Sequence, residues 1–466
     1  MIFSVEEVLR ATGGKLLQGE KHVFFEGVST DSRTIGEGEL YFALIGPHFD
    51  GHHYALEALE KKAAGVVVEE GRARDIHWNG HQSKAIILVR DTLQALGDLA
   101  RERRRRYQTP VVALTGSNGK TTSKEMIAAC LETTFPILKN RGNWNNLIGL
   151  PLTLLRLTEK ERVVVLEMGM NVPGEIRRLT EIAEPDVGLI TNIQKVHLEG
   201  LGSLERLKEE KGELFRRMKQ DGTIVVNHDD PRVVDVAGNF PGQKITFGIK
   251  EPSDVMAREI RLRGIKGTSF TLIVEGKATE ITLPLLGRQF VPDALSAIAI
   301  AALFGIDLER VKEVLEHFRP APMRMEVLSL GHGKVLINDA YNANPRSMEM
   351  ALETLAEVKG GGRAIAVLGD MLELGNCAEE AHLQLGRKVG ELSIDLLLAL
   401  GEWAPAVVES AVRHGIESER TKILENHGEA ISLLRRVIQE GDWVLIKGSR
   451  RMALEKIAEG LMEGRA

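Results

Sequence analysis

The stretch VVALTGSNGKTT, from Val111 to Thr122, decides the fold of this chain. Its apolar first half predicts a buried strand, a glycine-rich turn follows, and Lys120 and Thr121 open a helix. Small residues in such a turn let successive backbone N–H groups converge on an anion at the helix N-terminus, where the helix dipole favours negative charge. The stretch therefore predicts a phosphate-binding loop in which Lys120 supplies a point charge and Thr121 a hydroxyl ligand for Mg²⁺.

The loop is a shortened form of the usual phosphate-binding pattern, G-x-x-x-x-G-K-[ST]. That pattern requires a glycine five residues before Gly119, and this position holds Leu114. A bare G-x-x-G is also typical of an ordinary turn between a strand and a helix. Because lysine and threonine follow Gly119 directly, in a strand-loop-helix context, nucleotide binding is the favoured interpretation.

Length and composition indicate a globular α/β protein of several domains. The 466 residues are enough for about three domains, and the 47 glycines suit tight strand-to-helix turns. The net charge of -6 and the pI of about 6.2 argue against bulk binding to nucleic acid or to an anionic membrane. One basic run, RERRRRY from Arg101 to Tyr107, is interpreted as a solvated helix end and is given no function.

The sequence shows no pattern typical of export or of a membrane anchor. The segment MIFSVEEVLR lacks a basic region followed by an apolar core, and no run of about 18 apolar residues occurs. The two cysteines, Cys130 and Cys377, predict neither a disulfide framework nor a zinc site. We therefore expect a cytoplasmic protein without a membrane span.

Alternating strand and helix patterns divide the chain into three α/β domains. We expect a small N-terminal domain at 1–108, a central domain at 109–318 and a C-terminal domain at 319–466. In the central domain, unbroken apolar strands between helices predict a parallel sheet that is covered on both faces. The C-terminal domain repeats the alternation without a G-x-G-x-x-G, so we expect it to be Rossmann-like but not to bind a dinucleotide.

Polar residues follow the central strands at the edge where α/β sheets bind ligands. Glu167 ends the strand RVVVLEMG, and a carboxylate there is a suitable oxygen ligand for Mg²⁺. His197 lies on the loop after the next strand, but it ranks below Glu167 on chemistry alone because histidine is an unusual Mg²⁺ ligand. Lys211, in LKEEKGELFRRM, is typical of a solvated helical lysine with i,i+4 partners.

Together these motifs resemble a known family of ligases. TGSNGKT, LEMG, TNIQKVHLEG and EEKGELF resemble the central domain of the Mur ligase family, ATP-dependent enzymes that build the peptide stem of peptidoglycan precursors. The branch of that family that adds D-alanyl-D-alanine is similar to this chain in further segments: STDSR (29–33), FDGHHY (49–54), GNWNNLIGLP (142–151), NDAYNANPRSM (338–348), LGDMLELG (368–375) and IKGSR (446–450). The resemblance covers nearly the whole chain, in the right order.

The resemblance implies the three-domain Mur ligase architecture and an ATP-dependent, ADP-forming amide ligase. Such an enzyme would join D-alanyl-D-alanine to a UDP-N-acetylmuramoyl tripeptide through an acyl phosphate, in a peptidoglycan pathway that serves cell shape and division. The implied ligands are these small molecules, ATP and two Mg²⁺ ions, with no nucleic acid, and we expect a monomer. Whether diaminopimelate or lysine is the third stem residue stays open, as does the base that accepts the amine proton.

The resemblance also assigns roles in the metal site. Lys120 would bind the β and γ phosphates, and Thr121 and Glu167 would hold one Mg²⁺. His197 would belong to the same metal site, and Lys211 would be carbamylated by CO₂ and hold a second Mg²⁺. Carbamylation has a physical logic, because a deprotonated amine that captures CO₂ becomes an anionic oxygen ligand. The implied catalytic residues are Lys120, His197, Lys211 and Arg324.

The remaining implied contacts fall on the nucleotide and on the UDP-sugar. Asp339 would hold the ribose, and Asn344 would complete that side of the cleft, although it equally suits a helix N-cap before Pro345. The nucleotide residues would be Gly116, Ser117, Asn118, Gly119, Lys120, Thr121, Thr122, Arg324, Asp339 and Asn342. The substrate residues would be Ser29, Asp31, Ser32, Arg33, Asp50, Gly51, His52, Asn143, Asn145 and Asn146.

This chain departs from the family pattern where contacts with the adenine base are expected. Where the family usually shows H-N-V-x-N, the chain has Gln289, Phe290, Val291, Pro292 and Asp293. The two positions of the family's asparagines hold Phe290 and Asp293, and Pro292 stands at the variable position, so no asparagine equivalent is assigned and the adenine contacts stay open. Asp293 could accept from the adenine amino group, but a carboxylate cannot donate to a ring nitrogen.

Three further departures lie outside the implied metal site. Asn338 stands where an aspartate is more usual in the family. Met323 and Arg451 replace small residues. None of these positions is among the implied metal ligands.

Three other functions would share part of this sequence pattern. A sister ligase that adds a single amino acid would share the central motifs, but YNANP and LGDMLELG argue against it. A folate-polyglutamylating ligase would share the loop but would not need STDSR and FDGHH. A P-loop switch protein would need a guanine-reading N-K-x-D, which the sequence lacks.

Overall fold

The computed structural model describes residues 3–78, 80, 82–194 and 203–463. Within these ranges, three large sheets follow one another along the chain, each covered by helices. None of the helices in these residues combines the length and the hydrophobicity that a membrane span requires.

The N-terminal part of the chain forms a small α/β unit. Its strands are β1 (Phe3–Ser4), β2 (Lys15–Gln18), β3 (Phe24–Phe25), β4 (Gly27–Ser29), β5 (Glu39–Phe42), β6 (Ile45–Gly46), β7 (Phe49–Asp50), β8 (Gly65–Glu69) and β9 (Ala85–Val89), and its helices are α1 (Val5–Thr12), α2 (Ala55–Glu60) and α3 (Thr92–Arg106). Among the described residues the main sheet has the order β2-β9-β8-β5-β4, and only β2 runs antiparallel to its neighbour. Helix α1 starts where it does because Ser4 and Glu7 form a capping box.

The central part of the chain carries the longest sheet. Its elements are β10 (Val111–Thr115), α4 (Lys120–Glu132), β11 (Ile137–Lys139), α5 (Gly149–Leu154), β12 (Val163–Glu167), α6 (Glu175–Ala183), β13 (Val187–Ile190), α7 (Leu204–Arg217), β14 (Thr223–Asn227), α8 (Pro231–Ala237), β15 (Gln243–Gly248), β16 (Val255–Leu262), β17 (Thr268–Val274), β18 (Lys277–Leu283), α9 (Phe290–Leu303) and α10 (Leu308–Glu316). In the described residues nine strands pair in the order β11-β12-β10-β13-β14-β15-β16-β17-β18. The pairing is parallel as far as β16 and antiparallel beyond it, so the expected parallel sheet is extended by a hairpin.

Alternate residues of the central strands belong to two different hydrophobic cores. In β10, Val112 and Leu114 pack into a core that continues into the C-terminal domain through residues such as Val335. Val111 and Ala113 pack into a second core, which is shared with α3 of the N-terminal domain. Because successive strand residues point to opposite faces, the central sheet separates the two cores.

The C-terminal part of the chain forms a third α/β unit. Its elements are β19 (Glu326–Gly331), β20 (Lys334–Asp339), α11 (Pro345–Val358), β21 (Ala364–Gly369), α12 (Ala378–Glu391), β22 (Leu396–Leu400), α13 (Ala404–Arg413), β23 (Thr421–Leu424), α14 (His427–Val437), β24 (Trp443–Lys447) and α15 (Glu455–Glu463). The described strands pair in the order β19-β20-β24-β21-β22-β23, and all pairs are parallel except β19 with β20. This arrangement agrees with the Rossmann-like expectation.

The basic run at the end of α3 is not a solvated helix end. Arg103 and Arg104 are each only 4% exposed. Arg104 donates to the carbonyl of Ala183 over 3.0 Å and forms a 3.0 Å ion pair with Asp186 of the central domain. Arg103 donates to the carbonyl of Leu157 over 2.8 Å. The run therefore joins the N-terminal domain to the central domain, and the interpretation from charge alone was wrong for these two arginines.

Candidate active site

A cavity of about 670 Å³ opens at the carboxyl ends of the central strands, and the C-terminal domain forms its opposite wall. Parallel α/β sheets bind ligands at this edge. Many of the residues expected from the sequence line it: Ser117, Asn118, Gly119, Lys120, Thr121, Thr122, Asn143, Asn145, Asn146, Glu167, Lys211, Arg324, Asp339 and Asn342.

Two glycines give the phosphate loop its shape. Gly116 has φ +153°, and a Cβ atom there would lie 1.9 Å from the hydroxyl of Thr191. Gly119 has φ +81°, and a Cβ atom there would lie 2.4 Å from a carboxyl oxygen of Asp293. No side chain fits at either position without displacing a neighbour, so the loop needs both glycines.

The phosphate loop is braced by the segment that follows the neighbouring strand β13. The Asn192 carbonyl accepts from the backbone N–H of Ser117 over 2.9 Å, and its side-chain oxygen accepts from the N–H of Asn118 over 3.0 Å. The Ser117 hydroxyl donates to the Gln194 carbonyl over 2.9 Å. These contacts fix the loop before any ligand binds, which lowers the entropic cost of binding an anion there.

Two lysines meet beneath the loop. Nζ of Lys120, the first residue of α4, donates to the carbonyls of Gly116 over 2.9 Å and Ser117 over 3.2 Å. Lys211, on α7, is only 2% exposed and also donates to the Gly116 carbonyl over 2.9 Å. Burial, followed by the charge of Lys120, holds the pKa of Lys211 well below its usual value. The expectation of a solvated helical lysine, drawn from the sequence pattern alone, was therefore wrong.

Glu167 is the last residue of β12, and only one of its two carboxylate oxygens accepts a hydrogen bond from the described residues. It is 2% exposed, and its Oε1 accepts from Nδ2 of Asn145 over 2.7 Å. Its backbone exchanges two hydrogen bonds with the side chain of Asn140, of 2.8 and 3.0 Å. The other oxygen, Oε2, is buried without a hydrogen-bond partner among the described residues. A buried carboxylate oxygen with no donor is expensive unless a cation binds it.

Arg324 reaches into the cavity from the start of the C-terminal domain. Its Nη2 donates to the Thr121 hydroxyl over 3.3 Å, and its guanidinium lies 4.0 Å from the centre of the Tyr341 ring. The two residues that flank it, Met323 and Met325, have φ values of +62° and +49°, in the left-handed region that side chains rarely adopt. Such strain persists only where neighbouring contacts enforce it.

Asp339 supplies one of those enforcing contacts. Its Oδ1 accepts from the backbone N–H of Met325 over 3.0 Å, and its Oδ2 accepts from Nζ of Lys447 over 2.5 Å. Lys447, which is 2% exposed, also donates to the Asn342 carbonyl over 3.0 Å. The Asp339 carboxylate thus already holds the turn that carries Arg324.

Asn344 contacts the phosphate loop across the domain boundary. Its side-chain oxygen accepts from the Ser347 N–H over 2.9 Å, which confirms the N-cap of α11. Its side-chain Nδ2 donates to Oδ1 of Asn118 over 2.7 Å. Asn344 therefore caps α11, and it also lines the cavity.

Asp293 is buried against the start of α4. It is 6% exposed and accepts from the Ser123 hydroxyl over 2.8 Å. Burial raises the pKa of its carboxyl group to about 8. A protonated carboxyl group can donate as well as accept. At neutral pH, Asp293 can therefore donate to a ring nitrogen, which a carboxylate cannot do.

The residues before Asp293 also border the cavity. Gln289, Phe290 and Pro292 are among its lining residues, and Pro292 lies in the first turn of α9. Proline has neither a backbone N–H nor a polar side-chain atom, so Pro292 offers no hydrogen-bond donor to a base. Within residues 289–293, side-chain hydrogen bonds to a base are therefore available from Gln289 and Asp293 alone.

Segments of the N-terminal domain lie apart from this cavity. Among the described lining residues, none comes from STDSR or FDGHHY. His52 is buried. Its Nδ1 is hydrogen-bonded to Oδ1 of Asp50 over 2.6 Å, and its Nε2 accepts from the Glu69 N–H over 3.0 Å. Asp31 forms a two-point pair with the exposed Arg33, and this pairing lowers the pKa of Asp31 to about 2. The remaining expected residues, Ser29, Ser32 and Gly51, lie in the same two segments.

One expected residue cannot be placed, and others were missed. His197 lies outside the described residues. The sequence motifs predicted no role for three residues of the site: Lys447, Tyr341 and Asn140. Lys447 nevertheless stands within the motif IKGSR, and Asn140 lies shortly before GNWNN. Their position in or beside those motifs was the available signal.

Three family descriptions match this chain in consecutive segments. "Mur ligase family, catalytic domain" matches residues 25–104, "Mur ligase middle domain" residues 114–301, and "Mur ligase, glutamate ligase domain" residues 323–450.

Curated proteins resemble the chain over nearly its full length. The UDP-N-acetylmuramoyl-tripeptide--D-alanyl-D-alanine ligase of Bacillus subtilis is 35% identical and covers 99% of this chain and 98% of its own length. The protein of the same name from Escherichia coli is 34% identical, with 96% of each chain covered.

Solved structures have the same arrangement of elements. A crystal structure of MurF from Acinetobacter baumannii superposes with a TM-score of 0.88, at 31% identity and 99% coverage of both chains. The structure of MurF ligase from Thermotoga maritima in complex with ADP superposes with a TM-score of 0.84, at 27% identity, covering 96% of this chain and 100% of that one.

Proposed function

This chain belongs to the Mur ligase family, and we propose that it joins D-alanyl-D-alanine to the terminal carboxylate of a UDP-N-acetylmuramoyl tripeptide. The reaction consumes ATP, releases ADP and phosphate, and forms an amide in peptidoglycan precursor synthesis. Full-length similarity to ligases of that name supports this substrate pair over a single amino acid.

One observation carries the mechanistic part of the proposal. A phosphate loop, a buried carboxylate with a free oxygen and a buried amine of lowered pKa converge in one cavity, through Lys120, Glu167 and Lys211. Each group suits a different part of one ATP-dependent reaction, and a structural role explains neither the free oxygen of Glu167 nor the buried amine of Lys211.

In the first step the tripeptide carboxylate attacks the γ phosphorus of ATP and ADP leaves. The backbone N–H groups of the loop and the side chain of Lys120 bind the phosphates. Arg324, held over the hydroxyl of Thr121, adds positive charge from the opposite domain. These residues offset the repulsion between the phosphates and the attacking carboxylate.

The residues present fit a metal site beside the phosphates. Oε2 of Glu167 has no other partner among the described residues, and the Thr121 hydroxyl lies at the start of α4 on the same edge, so both offer the oxygen ligands that Mg²⁺ prefers. His197 completes the proposed set. When bound, Mg²⁺ neutralises phosphate charge and polarises the γ-phosphoryl group.

Lys211 is the proposed site of carbamylation. Its amine would attack CO₂, forming an N–C bond and losing a proton, to give an anionic oxygen donor for a second Mg²⁺. The lowered pKa supports this step because only the unprotonated amine is a nucleophile.

In the second step the dipeptide amine attacks the acyl carbon. The tetrahedral intermediate expels phosphate, and the amine loses its proton to a base. The contacts of the C-terminal domain with the phosphate loop, through Asn344 and Arg324, cover the cavity and help to exclude water from the acyl phosphate.

The proposal includes the organisation of the protein. We place the UDP-sugar on a domain at 1–108, ATP on 109–318 and the dipeptide on 319–466. The start of β10 at Val111 and the end of α10 at Glu316 support these two boundaries. Ser29, Asp31, Ser32, Arg33, Asp50, Gly51, His52, Asn143, Asn145 and Asn146 are proposed for the UDP-sugar, and Asp339 and Asn342 for the nucleotide. We also propose a cytoplasmic monomer, because ATP is a substrate and one chain supplies all the proposed groups.

Phosphate release tests the proposed function directly. The protein is incubated with ATP, Mg²⁺ and each UDP-N-acetylmuramoyl tripeptide, with lysine or diaminopimelate in third position. Release is expected to require both the tripeptide and D-alanyl-D-alanine. Release with a single amino acid in place of the dipeptide would instead assign the chain to a sister ligase.

A further inference from the structure

The side chain of Asn344 uses both ends of its amide at once. Its oxygen caps α11 by accepting from Ser347, and its nitrogen donates over 2.7 Å to Asn118 in the phosphate loop of the other domain. Asn118 in turn donates to the Gln194 side chain over 3.1 Å. The cap of one domain and the ligand loop of another are therefore linked by a chain of three amides.

The far end of α11 is tied to the central domain as well. Glu357, in its last turn, forms a two-point ion pair with Arg288, with distances of 2.7 and 3.2 Å. Both partners are exposed, so this pair contributes little to holding the domain in place. The contact at Asn344 differs, because it falls on the loop that binds phosphate.

We propose that Asn344 is a positioning residue that couples the docking of the C-terminal domain to the conformation of the phosphate loop. When the loop is in its ligand-binding shape, Asn118 presents its oxygen to Asn344, and α11 is held over the cavity. This inference rests on the proposed function, since the docked domain is the one that is to bring the dipeptide amine to the acyl phosphate.

The chemistry requires asparagine in particular. Serine, aspartate and asparagine cap helices about equally well, because each offers a side-chain oxygen to the first turn. Of these, only asparagine also carries an N–H donor that extends beyond the capping oxygen. Capping and coupling can therefore be separated by substitution.

The test compares two cap substitutions in the same domain. Asn344→Ser keeps a capping oxygen and removes the donor to Asn118. Asn426→Ser makes the same change at the N-cap of α14, where the side chain accepts from Glu429 and is exposed. Both variants are expected to keep the melting temperature of the unaltered protein to within about two degrees.

Two measurements then separate the coupling role from a structural one. With the non-hydrolysable analogue AMP-PNP and Mg²⁺, small-angle X-ray scattering is expected to show a larger radius of gyration for Asn344→Ser than for Asn426→Ser. In steady-state assays, kcat/KM for D-alanyl-D-alanine is expected to fall about tenfold in Asn344→Ser alone. The effect of Asn344→Ser is expected to vanish in an Asn118→Ala background.

Equal scattering and equal kcat/KM for the two serine variants would overturn the coupling role, as would an undiminished effect of Asn344→Ser in the Asn118→Ala background. The scattering experiment needs only the nucleotide analogue. If the unaltered protein released no phosphate with D-alanyl-D-alanine, the proposed function would fail, while scattering would still decide whether Asn344 couples the domain to the loop.

Discussion

Lys120 and Lys211 donate to the same acceptor, the carbonyl oxygen of Gly116, each over 2.9 Å. Two amines that converge on one buried oxygen cannot both carry a proton cheaply, because like charges in a poorly solvated site repel strongly. Burial is the larger cause of the lowered pKa of Lys211, and Lys120 adds to it. The loop glycine thus holds the phosphate-binding lysine next to an amine that is prepared for covalent chemistry.

Lys211→Ala is expected to lower kcat by at least about a hundredfold while leaving the fold intact, because it removes the proposed second metal ligand. Steady-state phosphate release measures the loss, and added short carboxylates are expected to restore part of it. The control is Lys208→Ala on the same helix, whose amine pairs with Asp235. Full activity of Lys211→Ala would exclude a carbamate role, and ¹³C NMR with labelled bicarbonate tests the adduct in the unaltered protein.

Glu167→Gln is expected to weaken metal binding while keeping the shape of the strand end. The substitution removes the charge of the carboxylate and puts an N–H donor where a cation needs an acceptor. Mn²⁺ titration followed by electron paramagnetic resonance is expected to show at least about tenfold weaker binding, with a matching loss of phosphate release. The control is Glu132→Gln at the end of α4. Unchanged Mn²⁺ affinity would contradict the assignment of Glu167.

Asp293→Asn is expected to change how stability depends on pH. The raised pKa of about 8, against an ordinary 3.8, means that the folded protein keeps a proton that the unfolded chain loses. This group therefore makes stability fall as pH rises from about 4 to about 8, where the folded protein also loses the proton. Asparagine removes that slope, so the melting temperature of Asp293→Asn is expected to exceed that of the unaltered protein by several degrees at pH 8 and by less at pH 5.

Differential scanning calorimetry across this pH range measures the effect, with Asp307→Asn at the exposed N-cap of α10 as the control. Parallel melting curves for Asp293→Asn and the unaltered protein would refute a raised pKa. Measurement of the KM for ATP in the same variant shows whether an amide at this position suits adenine.

Arg104→Ala is expected to destabilise the protein by about 3 kcal/mol, because it removes a buried cation that pairs with Asp186 and donates to three backbone carbonyls at the domain interface. Arg105→Ala on the same helix removes a half-exposed pair with Glu184 and is expected to cost less than about 1 kcal/mol. Urea denaturation measures both. Equal losses in the two variants would show that the contacts of Arg104 contribute no more than a surface pair.

Local features of the site could be predicted from the sequence because they depend on nearby residues. The phosphate loop, the start of α4 at Lys120 and the strand end at Glu167 are all set by composition within a few positions. The cap at Asn344 belongs to the same class, since Pro345 at the first helical position indicates it directly.

Features that depend on distant partners could not be predicted. Charge runs are usually solvated, and no residue near Arg104 in the sequence indicates its ion pair with Asp186, 82 residues away. Lys211 is buried only because α7 packs under the phosphate loop, 95 residues from Gly116. Asn344 meets Asn118 across 226 residues and a domain boundary, and local periodicity contains no information on that contact.

The central sheet shares its hydrophobic cores with both neighbouring domains. Val112 and Leu114 pack with one of these domains, and Val111 and Ala113 with the other, so strand β10 contributes to two cores that are completed elsewhere in the chain. A fragment cut at residues 109 and 318 would expose apolar surface on both sides of the sheet that holds the phosphate loop. The nucleotide-binding domain therefore depends on its neighbours for folding, and it is expected to aggregate when it is expressed alone.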